Sequence, residues 1–374
     1  VAPFIAMDVM REAHGLAAQG RRILHLEVGQ PGTKAPLLAR QAAARALEDD
    51  KIGYTDALGR QALRERIARH YLDLYGVTVS PERVVITTGS SAGFILAFSG
   101  LFSAGDGIIL AEPGYPAYRN LLQAFDLRGL FVSAKAENRF QPVPADLAQI
   151  KRNDPSARGL LIASPANPTG CLLDRPALEA LALECRAQSL TLISDEIYHG
   201  LTYERPAVSA LEVDDQAIII NSFSKYFSMT GWRIGWMIVP EYMARPMERL
   251  AQNLFISAPT LSQIAALAAM DASAECEANR QAYARSRAVL LDALSRSGFG
   301  PVAPADGGFY LYVNTAPLSN DSTELCRRLL HEGGIAATPG HDFDTMRGAS
   351  SLRLSYAGPE SDMIEAAKIL EAWR

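Results

Sequence analysis

Lys225 lies in Ser222-Phe-Ser-Lys-Tyr-Phe-Ser-Met-Thr-Gly-Trp-Arg233, which sets one amine among the hydroxyls of Ser222, Ser224 and Ser228, with a guanidinium eight residues further on. Small hydroxyl donors and a bidentate arginine make an anchor for a phosphate. An amine beside such an anchor suits imine formation with a phosphorylated aldehyde; the alternative is a surface lysine after a buried strand. Asp195 ends the run Leu190-Thr-Leu-Ile-Ser-Asp. A carboxylate at the end of a buried strand is costly unless paired. Against a ring nitrogen it would keep that nitrogen protonated, whereas the simpler role is a turn or helix cap. Asn167, in Ala163-Ser-Pro-Ala-Asn-Pro-Thr-Gly170, offers an amide from a loop fixed by two prolines and a glycine. Arg353, in Ser350-Ser-Leu-Arg-Leu-Ser355, faces the opposite way from Leu352 and Leu354 on an alternating strand. Its planar fork suits bidentate capture of a carboxylate, and an exposed strand arginine is the alternative.

Gly89-Ser90-Ser91-Ala92-Gly93 fits two chemistries. As G-x-S-x-G after a strand it matches a serine hydrolase elbow, and Asp195 with His331 or His341 follows in the required chain order. No His-Gly-Gly segment precedes it, and that reading leaves Lys225, Asn167 and Arg233 without a role. The same segment serves a phosphate, because free backbone N–H groups and the helix dipole favour an anion there.

The run at residues 222–233 resembles the cofactor-lysine signature of the class I/II aminotransferases, the aspartate aminotransferase-like enzymes of fold type I. The resemblance implies pyridoxal 5′-phosphate on Lys225, with Ser90, Ser91, Ser222, Ser224 and Arg233 at its phosphate and Asp195 on its pyridine nitrogen. Asp195-Glu-Ile-Tyr198 resembles the family's second signature and assigns Tyr198 to the phenolic oxygen O3′, which Asn167 shares. Tyr115, in Glu112-Pro-Gly-Tyr-Pro-Ala-Tyr118, resembles the aromatic stacked on the ring; a turn aromatic covering the sheet end competes. Tyr54, in Gly53-Tyr-Thr-Asp-Ala-Leu-Gly59, matches the position that reaches the neighbouring subunit's phosphate, which implies a homodimer; a core or loop tyrosine competes. Gly29, Asn167 and Arg353 match positions around the substrate. The implied activity is a ping-pong aldimine/pyridoxamine transfer between an L-amino acid and a 2-oxo acid. Lyase, decarboxylase and synthase chemistry on the same residues stays open. So does a non-catalytic cofactor-sensing module, although no DNA-binding segment is visible at the amino end.

Short β-branched runs alternate with helical spacing ahead of these residues. Strands are predicted at 84–88, 107–111, 127–133, 159–163, 191–194, 217–221 and 233–239, with a helix at 175–188. This alternation argues for an α/β fold, a mostly parallel sheet flanked by helices, with sites at the carboxyl ends of the strands. The rhythm changes after Met270, to a helical stretch at 275–295, a strand at 309–313, a helix at 322–332, a strand at 351–355 and a last helix from Pro359. That reads as a smaller α+β domain. The resemblance adds the amino-terminal segment, giving a discontinuous small domain of 1–33 and 285–374 around a large domain of 34–284. At 374 residues, with 48% hydrophobic and 21% charged residues, the chain can bury a sizeable core. A net charge of −5 without a basic block leaves nucleic acid no footprint. No run is long and apolar enough for a bilayer, and Val1 to Asp8 is no signal peptide. The four cysteines and six histidines lack disulfide or metal spacing. A cytoplasmic enzyme without a metal is the expectation.

Overall fold

The computed structural model describes residues 2–50 and 52–373. Val1, Lys51 and Arg374 lie outside the described residues, so the expected 1–33 and 285–374 unit is followed from Ala2 to Trp373. Seven strands form one sheet in the spatial order Val84–Thr87, Gly235–Ile238, Ile218–Ser222, Thr191–Asp195, Ala157–Ala163, Gly107–Glu112, Arg128–Ser133. Continuous Val/Ile/Leu runs suit it because both faces are covered. Ile218 and Ile220 point into one buried cluster with Phe94 and Phe98, while Ile219 points into another with Leu178 and Leu181. The helix Arg175–Ala187 supplies part of the second layer. Asp174 caps it by accepting from the Ala177 N–H at 3.0 Å, and Leu178, Leu181, Ala182 and Cys185 lie on its buried stripe.

Strand ends fall within two residues of the sequence expectation, and the one shift that matters for the site is at Arg233. The strand begins at Gly235, and Arg233 instead closes a 3₁₀ turn in left-handed backbone, φ 49°. The chain reverses there, and Gly235–Ile238 is antiparallel to both neighbours. Thr87, Gly235 and Ser222 share one register line. The start of the reversed strand therefore lies at the carboxyl edge of all the others, which carries Arg233 to the site.

Beyond the long helix Ser273–Ser295, strands Thr338–Pro339, Ser351–Ser355 and Tyr310–Asn314 form an antiparallel sheet. Leu24–His25 pairs in parallel with Ile335–Ala336. Leu24 and Leu26 share a buried cluster with Leu290, Phe309, Leu352 and Leu370, so the amino-terminal segment packs with the carboxyl-terminal elements. Tyr198 and Leu201, from the large sheet's edge, enter the same cluster. The strand Ser351–Ser355 is covered on both faces, and Arg353 is 2% exposed, which excludes the exposed-arginine alternative. Cys171, Cys185, Cys276 and Cys326 are buried and free. Among the described residues no helix is long and apolar enough to cross a membrane, and no cluster of three metal-ligating side chains occurs.

Candidate active site at the carboxyl edge of the sheet

A cavity of about 250 Å³ opens where five strands end and the reversed strand begins. Gly29, Ser90, Ser91, Tyr115, Asn167 and Asp195 line it, together with Tyr198, Ser224, Lys225, Arg233 and Arg353. Gly29 and Arg353, 324 positions apart in the chain, thus meet at one point. Two expected site residues do not line it. Ser222 sits one layer behind, its hydroxyl 2.8 Å from that of Ser224. Tyr54 is 83% exposed in a loop and lies outside the cavity, so it is not a core tyrosine, and the loop-tyrosine alternative stands beside the partner-subunit role.

The Lys225 amine donates to the Gly29 carbonyl at 2.7 Å, between the rings of Tyr198 and Phe309. Burial, then the nearby Arg353 and Arg233, push its pKa down to about 8. Asp195 ends its strand as expected and is 4% exposed. Its carboxylate accepts from the Tyr118 phenol and from the Ile197 N–H at 3.1 Å. Burial pushes its pKa up to about 6, and no cation bonds to it among the described residues. It is a buried acid short of a positive partner that also braces the turn at the strand end through Ile197, and it caps no helix.

Arg353 lies between the rings of Tyr310 and Phe343, with centroid distances of 4.3 and 4.6 Å. One arm donates to Asn167 Oδ1 at 2.9 Å and the other to the Glu27 carbonyl, while Nε has no partner. Stacking fixes the plane of the fork and leaves it donor capacity for a carboxylate. Gly29 is required by close approach: a Cβ there would stand 1.5 Å from the Tyr310 hydroxyl, which is itself 2.9 Å from the Tyr198 hydroxyl. Gly89, at φ +71°, opens the helix Gly89–Leu101, and a Cβ on it would stand 2.4 Å from an Arg233 nitrogen. The guanidinium therefore lies against a helix start that carries Ser90 and Ser91, a geometry suited to an anion.

Tyr118 and Tyr310 are absent from the sequence expectation. Tyr118 follows Tyr115 by three residues at the start of helix Pro116–Ala124, a spacing that could have placed both on one face. Tyr310 carries no local signal. Phe4 and Met7 also line the cavity, and Phe4 meets the Tyr115 ring edge-to-face at 5.8 Å. No histidine lines it; His331 instead lies 2.8 Å from Glu12. The elbow-like serines thus lack the histidine that the hydrolase reading requires, and that reading fails on geometry.

Residues 21–370 match the family described as aminotransferase class I and II. A valine–pyruvate aminotransferase of Mycobacterium tuberculosis is 45% identical, over 100% of this chain and 96% of the relative. The crystal structure of an aminotransferase from Mycobacterium tuberculosis superposes with a TM-score of 0.96 at 44% identity, covering 100% of this chain and 96% of that one. Aspartate aminotransferase from Thermus thermophilus with maleate gives 0.92 at 32%, covering 98% and 96%. These names are those of amino-group transferases, not of lyases, decarboxylases or synthases. The chain belongs to the class I and II aminotransferases, enzymes of the aspartate aminotransferase-like fold that use pyridoxal phosphate.

Proposed function

We propose that this aminotransferase moves an amino group between a neutral aliphatic L-amino acid and pyruvate. The charge of the cavity carries the amino-acid half. Its cations are Lys225, Arg233 and Arg353, and each is already engaged by the roles below. A second carboxylate on the substrate would therefore meet no free cation among the described residues that line the cavity. The side-chain end is walled by Phe4, Met7, Val28 and Ile197. A relative named for valine and pyruvate supports both halves.

The residues fit pyridoxal phosphate on two physical grounds: a buried carboxylate without a cation, and an arginine laid over a glycine at a helix start. When bound, the group supplies an aldehyde that condenses with amines and a protonated ring that accepts the electron pair freed at Cα. Asp195 would hold the proton on the ring nitrogen, with Tyr118 orienting its carboxylate. Ser90, Ser91, Ser224 and Arg233 would bind the phosphate, with Ser222 bracing Ser224. Asn167 and Tyr198 would donate to the ring oxygen, and Tyr115 would cover the ring face. Arg353 and Asn167 would dock the α-carboxylate against the Gly29 backbone, and the freed Lys225 amine would carry the Cα proton.

The same reading makes 34–284 the cofactor-binding domain, with 1–33 and 285–374 moving together as the substrate-closing domain. It also makes the enzyme a cytoplasmic homodimer in which Tyr54 of the partner subunit reaches the phosphate. Exposed Ile52, Tyr54, Leu254 and Ile256 support a partner surface, and Thr260 Oγ1 donates to the Gly53 carbonyl at 2.5 Å, which brings the two segments together. The test is a panel of single half-reactions followed in the cofactor's absorbance. Valine and alanine should convert the holoenzyme at least about 100-fold more efficiently than aspartate, the range that a missing charge partner commands. Equal efficiency with aspartate would overturn the substrate class.

A further inference from the structure

Behind the lysine loop lies a second cavity, of about 510 Å³, separate from the first. Asn221 and Ser222 form its floor, and Tyr75, Tyr226, Phe227 and Trp236 supply aromatic walls. Its size is that of a small-molecule site. The charged side chains that face it are Arg66, Asp73, Asp271 and Glu277. Arg66 is already used, donating to the Met270 carbonyl at 2.8 Å and to Asp271 at 3.2 Å. The two imidazoles on the wall, His70 and His199, are held neutral by burial, which pushes each down to about 4. Asp73 and Glu277 are paired from outside the cavity with Arg69 at 2.6 Å and Arg280 at 2.7 Å. The wall therefore offers an anion no free guanidinium, while its aromatic faces attract a cation.

The two cavities share their dividing wall. Ser222 lines the second and Ser224 the first, and their hydroxyls are 2.8 Å apart. Tyr226 and Phe227 directly follow Lys225 in the chain. His199 joins the walls a second time: Nδ1 is 2.8 Å from the Tyr75 hydroxyl, and Nε2 is 2.9 Å from the carbonyl of Ser164, which begins the loop to Asn167. We propose that this second cavity binds a small aromatic ammonium compound and that its occupancy is transmitted to Lys225 through the Ser222–Ser224 pair. The binding half stands on this geometry alone; the coupling half rests on Lys225 being the cofactor lysine.

Benzyltrimethylammonium is the probe, because without an N–H it forms no imine in the first cavity. Titrated calorimetrically into holoenzyme, it should bind saturably, one per chain, and pyruvate should not displace it. Phenylacetate, its anionic counterpart, should not bind the second cavity. Tyr226→Ala should weaken the probe at least tenfold, and Asp271→Asn with Glu277→Gln at least fivefold, with far-ultraviolet dichroism retained. Saturation should shift the cofactor's visible band or the pH midpoint of that band. Unchanged affinity in both variants, displacement by pyruvate, or no saturable heat up to about 10 mM overturns the site. Binding with an unmoved band overturns the coupling alone. Borohydride labelling that misses Lys225 overturns the cofactor reading and leaves the binding result standing.

Discussion

Lys225 and Asp195 are moved in opposite directions by one cause. Burial disfavours the charged form of each, lowering the amine to about 8 and raising the acid to about 6. An amine poised near neutrality can both give and take the Cα proton. The shift also appears in stability. Between about pH 8 and the ordinary lysine value of 10.5, the unfolded chain of the cofactor-free protein holds a proton on Lys225 that the folded chain has released. Stability from this group therefore rises with pH across that window. Urea unfolding of cofactor-free wild type and Lys225→Met should show that slope in the wild type and its loss in the variant; parallel pH profiles would refute the buried amine. Tyr118 acts on Asp195 by bonding to its ionised form, which opposes the upward shift. Tyr118→Phe should weaken cofactor binding about tenfold, the worth of one hydrogen bond to a charge. The acid limb of cofactor retention should move to higher pH, because the carboxylate then protonates more readily. A dissociation constant and limb equal to wild type would remove Tyr118 from the orienting role.

The helix Ile5–Ala18 begins over the cavity without a cap of its own, since Phe4 at its N-cap position has no side-chain acceptor. Asp342, more than 330 residues away, replaces it by accepting from the Ile5 and Ala6 N–H groups at 3.2 Å each. Arg119 donates to the Asp342 carbonyl at 2.7 Å and ties the clamp to the helix that starts beneath Tyr115. Removing an N-cap acceptor costs about 1 kcal/mol, felt in the first turn. Asp342→Ala should accelerate amide exchange at residues 5–8 and raise the donor KM several-fold with less change in kcat, because Phe4 and Met7 lose their fixed place. Unaltered exchange in that turn would show that packing alone holds it. The reversed strand Gly235–Ile238 is the other decisive element. Had it run parallel, Arg233 would lie at the far edge of the sheet from Ser90.

For the whole molecule, the cavity is walled by both parts of the chain: Lys225 and Asp195 come from the large sheet, Gly29 and Arg353 from the segments that pack with the carboxyl-terminal elements. On the proposed division of the chain, substrate capture and chemistry would fall to different domains, which suits closure on binding. The exposed apolar group at Ile52, Tyr54, Leu254 and Ile256 belongs to the same level. Sedimentation should give a dimer at micromolar concentration. Tyr54→Phe should weaken the cofactor several-fold without changing the dimer; a monomer that retains full activity would end the shared-site proposal.

Lysine, aspartate, asparagine and the carboxyl-terminal arginine could be singled out before any coordinates because each sits in a short run whose chemistry is local: hydroxyls beside an amine, a carboxylate at a strand end, prolines around an amide. Strand and helix positions followed from apolar spacing, since burial on one or two faces imposes its period directly on the chain. Contacts between distant segments leave no such mark. Tyr310 against Gly29, Asp342 under the first helix, Tyr118 on Asp195 and the second cavity behind Ser222 arise from which surfaces the fold brings face to face. Arg233 reaches the start of the helix that carries Ser90 and Ser91 because its strand is reversed, and strand direction is set by pairing across the sheet, not by the residues of the strand itself.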